Sequence, residues 1–175
     1  MRPPWYVIAG GPCSGKSKII ERLAFLGFAV RTEAARILID QEMSCGRTLA
    51  EIRHDEAAFQ RAVLQLKQEA EARTPRDQVV FWDRGIPDSL VYLEACGADT
   101  KTAREACLHL QYRKVFFCEP LPVYHTDQVR LESKSVSHQI HTALRSAYEN
   151  LQYDIVSIPV ASIAQRVELI LSHVS

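Results

Sequence analysis

Gly10-Gly11-Pro12-Cys13-Ser14-Gly15-Lys16-Ser17 satisfies the pattern G-x-x-x-x-G-K-[ST] in full, the signature of a phosphate-binding P-loop. Ahead of it, Tyr6 to Ala9 is a short apolar run of β-formers that stops where glycine and proline break regular structure. Behind it, Ile19, Ile20, Leu23 and Leu26 share one face at helical spacing, and Gly27 supplies the stop. Strand, loop and helix in that order are the context the motif requires. Glycines let the backbone curl so that the N–H groups of residues 10–17 point inward at phosphate oxygens, and the helix adds the partial positive charge of its N-terminus. Lys16 brings a full charge to the terminal phosphates, and the Ser17 hydroxyl can ligate Mg²⁺. The expected ligand is therefore a magnesium-complexed nucleoside triphosphate. Lys18 is a further candidate phosphate contact, or else a solvated cation that opposes the helix dipole. Cys13 reads as a small packing residue within the loop.

Outward from the loop, β-rich runs alternate with helical segments, as in a parallel sheet covered by helices, so the fold class is α/β. Phe28 to Arg31 predicts a second strand, followed by a helix from Glu33 to about Met43. Thr48 and Glu51 have capping-box spacing. Phe59, Ala62, Val63 and Leu66 then mark a long amphipathic helix that should end near Thr74-Pro75. Val79-Val80-Phe81-Trp82 is continuously apolar, as a central strand buried on both faces must be. Pro87 and Asp88 suit a helix start, a further helix spans about Thr102 to Leu110, and Val115-Phe116-Phe117 is a fourth strand. Periodicity then lapses from Pro120 to about Ser135, which predicts a mobile, lid-like loop. A helix from about Ser137 to Leu151, a strand from Ile155 to Ile158, and a final helix opened by the Ser162–Gln165 capping box complete the chain.

In an open parallel sheet ligands lie beyond the carboxyl ends of the strands. Three clusters there carry candidate chemistry. Asp83 and Arg84 follow the most apolar strand, where a carboxylate can bind Mg²⁺ and an arginine can grip a phosphate. Glu33 follows the second strand and is a candidate general base on an acceptor hydroxyl, or else the partner of Arg36 three residues on. Arg130 lies in the predicted lid, where closure would bring a cation onto the transferring phosphoryl group, or where Asp127 or Glu132 would pair it. His125, His138 and His141 lack a metal-site pattern and read as surface or packing residues.

Length and composition narrow the rest. At 175 residues the chain predicts one domain. Its 21 basic and 21 acidic residues cancel, which leaves no broad positive field to attract nucleic acid or anionic lipid. Five widely spaced cysteines without a C-x-x-C pair argue against a zinc site or disulfide framework and fit a reducing cytoplasm. The apolar run ending at Gly10 is too short for a signal or membrane span.

Taken together, the loop, Glu33-Ala34-Ala35-Arg36, Asp83-Arg84-Gly85-Ile86-Pro87-Asp88 and Asp127-Gln128-Val129-Arg130-Leu131-Glu132 resemble the NadR-type AAA-domain family of P-loop ATPases. That family includes a ribosylnicotinamide kinase domain and a GTP-binding protein, and its order of elements is similar to thymidylate and deoxynucleoside kinases. The resemblance runs from about Trp5 to Ile170. It implies a three-layer P-loop NTPase fold of the nucleotide-kinase type, with five parallel strands in the order 2-3-1-4-5. It also implies Asp83 and Arg84 beside Mg²⁺ and phosphate, Glu33 beside the acceptor, and Arg130 in the lid. The activity implied is transfer of the γ-phosphate of MgATP to a small, nucleoside-like acceptor, or ATP or GTP hydrolysis driving a regulatory switch. No [NT]-K-x-D element for guanine occurs in the chain.

Overall fold

A computed structural model describes residues 2–109, 112–122 and 134–174. In chain order the elements are β1 (Trp5–Ala9), α1 (Lys16–Phe25), β2 (Ala29–Arg31), α2 (Ala34–Ser44), α3 (Leu49–Ile52), α4 (Glu56–Arg73) and β3 (Val80–Asp83). They continue with α5 (Ile86–Ala95), α6 (Lys101–Leu108), β4 (Lys114–Cys118), α7 (Lys134–Asn150), β5 (Ile155–Ile158) and α8 (Ile163–Ser172). The five strands form one parallel sheet in the order β2-β3-β1-β4-β5, as the resemblance implied.

Strand alternation divides the core into two faces. Trp5, Val7 and Ala9 point with Val80, Trp82, Val115 and Phe117 toward Leu144 and Tyr148 of α7 and Val91 of α5. Tyr6 and Ile8 point with Phe81, Phe116 and Ile158 toward Ile19, Ile20 and Leu23 of α1 and toward Val167 and Ile170 of α8. A sheet covered on both sides requires apolar residues at consecutive strand positions, and β1 and β3 have them. Aromatic rings extend along the second face: Phe28 meets Phe81 edge-on, and Tyr6 stacks between Phe81 and Phe116. Each such side chain contributes about 1.5–3 kcal/mol by leaving water.

Local signals set the ends of the helices. Gly27, at φ +90°, follows α1, and α4 stops at Thr74 ahead of Pro75. Ser162 and Gln165 form the expected reciprocal cap of α8. The Thr48–Glu51 box is also present, but it opens only the single turn of α3. The long helix starts separately, with the Asp55 carboxylate accepting from the Ala58 N–H. Helix α7 begins at Lys134, one turn earlier than expected. Most of the predicted lid lies outside the described residues.

Candidate functional site

The phosphate loop joins β1 to α1 at the carboxyl edge of the sheet. Gly10 (φ +133°) leaves the strand where a Cβ would lie 2.6 Å from the Cys118 carbonyl oxygen of β4, so both the dihedral and the space exclude a side chain there. Cys13 (φ 56°) and Gly15 (φ +81°) provide the remaining reversals. Lys16 folds back over the loop, donating to the Gly11 carbonyl at 2.7 Å and to Ser14 Oγ at 3.1 Å. Burial, followed by the nearby charge of Arg84, pushes the Lys16 ammonium down to about 8. Ser17 is exposed at the start of α1. The Lys18 side chain turns outward and pairs with Glu21 at 2.8 Å, so in this structure it is a solvated ion pair.

Asp83 ends β3, paired in register with Ile8 of β1, and is 6% exposed. Its Oδ1 has no hydrogen-bond partner. Burial, reinforced by Glu33, raises its carboxyl to about 6. A buried acceptor oxygen left open, together with the exposed serine hydroxyl that follows the phosphate loop, is a donor set suited to a hard oxygen-seeking cation such as Mg²⁺.

Arg84 adopts φ +70°, an uncommon conformation for a residue other than glycine. Its N–H donates to the Ile8 carbonyl at 3.2 Å. Its guanidinium reaches the Gly10 carbonyl at 3.4 Å, Asp88 Oδ1 at 3.3 Å and Glu33 Oε1 at 2.7 Å. Glu33 therefore pairs across strands with Arg84, rather than with Arg36 as simple helical spacing would allow. Burial alone would raise the Glu33 carboxyl, but the charge of Arg84, helped by Lys16 and the Arg84 hydrogen bond, holds it down at about 2. A carboxylate this acidic is a hydrogen-bond acceptor at neutral pH and a weak proton store.

The Arg84 turn is held from beneath. The Gly85 N–H donates to Asp88 Oδ2 at 3.0 Å and to the Tyr148 hydroxyl at 3.2 Å, while the Ile86 N–H donates to the Tyr112 hydroxyl at 2.9 Å. Tyr148 in turn donates to Asp88, and Tyr112 donates to Glu71. Lys67 of α4, itself buried, donates to the Gly85 carbonyl at 2.8 Å and to Ser89 Oγ at 3.0 Å. Beside the turn a pocket opens between the phosphate loop and helices α2, α4 and α5, with Pro12, Glu33, Arg36, Lys67, Arg84 and Tyr92 among its walls. The structure thus brings the loop, Glu33, Asp83 and Arg84 into one site. Arg130 lies outside the described residues.

The AAA-domain family model matches residues 5–166. The chain belongs to the AAA-domain family. Solved structures with the same fold include a NadR protein in complex with NR, at 16% identity and TM-score 0.74. That match covers 97% of this chain and 51% of the NadR chain, so this AAA-domain protein spans about half the length of NadR. Deoxyadenosine kinase from M. mycoides with products matches at 15% identity and TM-score 0.64, covering 96% of each chain. Thymidylate kinase from Candida albicans matches at 14% identity and TM-score 0.60, covering 98% of this chain and 90% of that one. No curated protein matches. The AAA-domain chain thus has a kinase-like P-loop fold, and none of its described helices is long and apolar enough to cross a membrane.

Two loop contacts have no counterpart in the sequence reading. His141 of α7 accepts the Gly11 N–H at Nδ1 (3.2 Å), and a Cβ on Gly11 would lie 2.8 Å from the His141 Cβ. The packing role expected for His141 is thus exercised on the phosphate loop itself. Arg166 of α8 donates to the Ser14 carbonyl at 2.9 Å. Neither contact has a local signal, because the partners are 130 and 152 residues apart.

Proposed function

We propose that this protein is a phosphotransferase that moves the γ-phosphate of MgATP to a hydroxyl of a small nucleoside-like acceptor. The observation that carries this reading is the pocket shared by Pro12 of the phosphate loop and the Glu33–Arg84 pair. An acceptor bound there faces the end of the triphosphate. The NR complex of NadR and the nucleoside and nucleotide kinase neighbours support the choice of acceptor class.

The loop amides and Lys16 hold the phosphates, while Ser17 and Asp83 would hold Mg²⁺, which would supply positive charge to offset that of the triphosphate. Glu33 accepts a hydrogen bond from the acceptor hydroxyl and orients it, and Arg84, fixed by Glu33, stabilises charge on the phosphoryl group. The acceptor oxygen bonds to the γ-phosphorus, the bond to the diphosphate oxygen breaks, and ADP departs. The hydroxyl proton leaves for solvent as the new bond completes, so the low basicity of Glu33 is no obstacle in a loose transition state. Arg130 is proposed as a further cation on the transferring phosphoryl group. The test is transfer of labelled γ-phosphate from ATP, and in parallel from GTP, to a panel of nucleosides and ribosides. Intact nucleotide binding without acceptor-dependent transfer would refute the proposal.

The His141–Gly11 contact favours a second reading, a nucleotide-dependent switch, because it ties α7, which follows the lid segment, directly to the phosphate loop. Hydrogen exchange over residues 120–135 should then differ between a non-hydrolysable triphosphate and the diphosphate. Identical exchange would remove this reading.

A further inference from the structure

Arg166 is 1% exposed, yet two of its three guanidinium nitrogens, Nε and Nη1, have no hydrogen-bond partner. No carboxylate lies within ion-pair distance of it among the described residues, and it lies against the phosphate loop at Ser14 and Gly15. Two other arginines with low exposure are treated differently. Buried Arg84 has both Glu33 and Asp88, and Arg53 has Glu56. A dehydrated, uncompensated guanidinium is among the costlier groups a core can hold, and an apolar side chain of similar volume would fill the place more cheaply. No described residue supplies the negative charge that would offset it, and a bound anion would.

We infer that Arg166 is a second cationic arm of the nucleotide site, and that the polyphosphate of a bound nucleoside triphosphate is its missing counter-charge. The geometry supplies the coupling. Lys16 grips Ser14 through its hydroxyl, and Arg166 grips the same residue through its carbonyl. The Ser14 carbonyl belongs to the same peptide unit as the Gly15 N–H, so donation by Arg166 polarises that N–H and makes it a stronger donor to a phosphate oxygen. Because Gly15 has no side chain, the guanidinium can lie against the loop: a Cβ there would fall 2.7 Å from Arg166 Nη1. Arg166 thereby acts through the loop as a positioning residue, adding charge at short range in a poorly solvated layer.

The inference rests on triphosphate binding by the loop, and the test separates the two. Calorimetric titrations of MgATP and MgADP are run on the wild type, Arg166→Met, Arg166→Lys and Lys16→Ala, and each apo protein is melted. The expected result is that apo Arg166→Met melts no lower than the wild type, while its ATP affinity falls at least tenfold and its ADP affinity falls less. Arg166→Lys, which keeps the charge, should recover most of the loss. Unchanged ATP affinity in Arg166→Met overturns the inference and leaves the loop reading intact. So does a lowered melting temperature with an equal loss for both nucleotides, since that marks a structural strut only. Absence of ATP binding by the wild type refutes the loop reading itself, and the Arg166 inference falls with it.

Discussion

Substitution of Gly85 by alanine tests how the site is held. Gly85 lies at φ −106° and ψ −178°, ordinary extended backbone, so the glycine is required by space and not by dihedral freedom. A Cβ there would lie 2.7 Å from Tyr112 Cε2, 2.8 Å from the Tyr148 hydroxyl oxygen and 3.0 Å from Tyr112 Cζ. Carbon contacts are comfortable only from about 3.5 Å, so at least one ring must move by most of an ångström. Neither ring is free to do so: Tyr112 is 2% and Tyr148 0% exposed, and their hydroxyls hold the Gly85 and Ile86 N–H groups. Overpacking costs about 1–3 kcal/mol, and leaving one of those N–H groups without its acceptor adds about 1–3 kcal/mol. The total, about 2–6 kcal/mol, is a large part of the 5–15 kcal/mol typical of a whole domain. With a urea m-value of about 2 kcal/mol/M, the midpoint should fall by roughly 1–3 M. In a double-mutant cycle, Tyr148→Phe, which removes the oxygen at 2.8 Å, should cost less in the Gly85→Ala background than in the wild type. Labelled-phosphate transfer should drop at least tenfold, because Arg84 is the residue before the displaced turn. A midpoint shift below about 0.25 M, with transfer unchanged, would refute the claim that the tyrosine hydroxyls fix the Arg84 turn.

Three further outcomes follow from the same site. Lys16→Ala combined with Ser17→Ala should abolish calorimetrically detectable binding of ATP and GTP in the folded protein, and unchanged binding would remove the phosphate loop from the mechanism. Glu33→Gln should leave ATP affinity within about twofold and lower kcat roughly a hundredfold, because the acceptor hydroxyl and Arg84 both lose their positioning. Because the folded carboxyl titrates near 2, below its unfolded 4.5, the stability it contributes is present above pH 4.5 and is lost as pH falls toward 2. The destabilisation by Glu33→Gln in chemical unfolding should therefore shrink over that window. Glu71 has the opposite sign: burial raises it from 4.5 to about 7, despite the Tyr112 hydrogen bond and the Lys67 charge. Its stabilising protonated form is favoured fully below pH 4.5, and the advantage is lost as pH rises through 7. Glu71→Gln should accordingly be more stable than the wild type at pH 8 by up to about 2 kcal/mol, allowing for its partial exposure, with the gain fading toward pH 4.5. Thermal melts across that range check it, and a pH-independent difference would contradict the raised titration.

How much of this was visible beforehand depended on the range of the interactions. The phosphate loop was readable because its requirements are local: two glycines at positive φ, a lysine and a serine at fixed spacing, a strand before and a helix after. The central strands β1, β3 and β4 were readable as short apolar runs because a sheet covered on both faces leaves no solvent side to interrupt them. The Thr48–Glu51 capping box was readable because its spacing is local too, although which helix it opens, the single turn of α3 and not α4, was not. Whether Glu33 would pair with Arg36 or with a distant partner was undecidable from spacing, since helix geometry permits the first and only adjacency of β2 and β3 permits the second.

The sequence by itself determined the fold class, the phosphate loop and the candidate status of Glu33, Asp83 and Arg84. Backbone dihedral preference and hydrophobic periodicity act over a few residues and leave their mark in the order of the chain. The tertiary structure alone decided that Arg84 is gripped by Glu33 and Asp88, that two tyrosine hydroxyls and a buried lysine hold the turn after it, and that His141 and Arg166 press on the loop from 130 and 152 residues along the chain. Those contacts exist because the parallel sheet gathers the carboxyl ends of its strands at one edge, so residues more than a hundred positions apart meet over the same few ångströms.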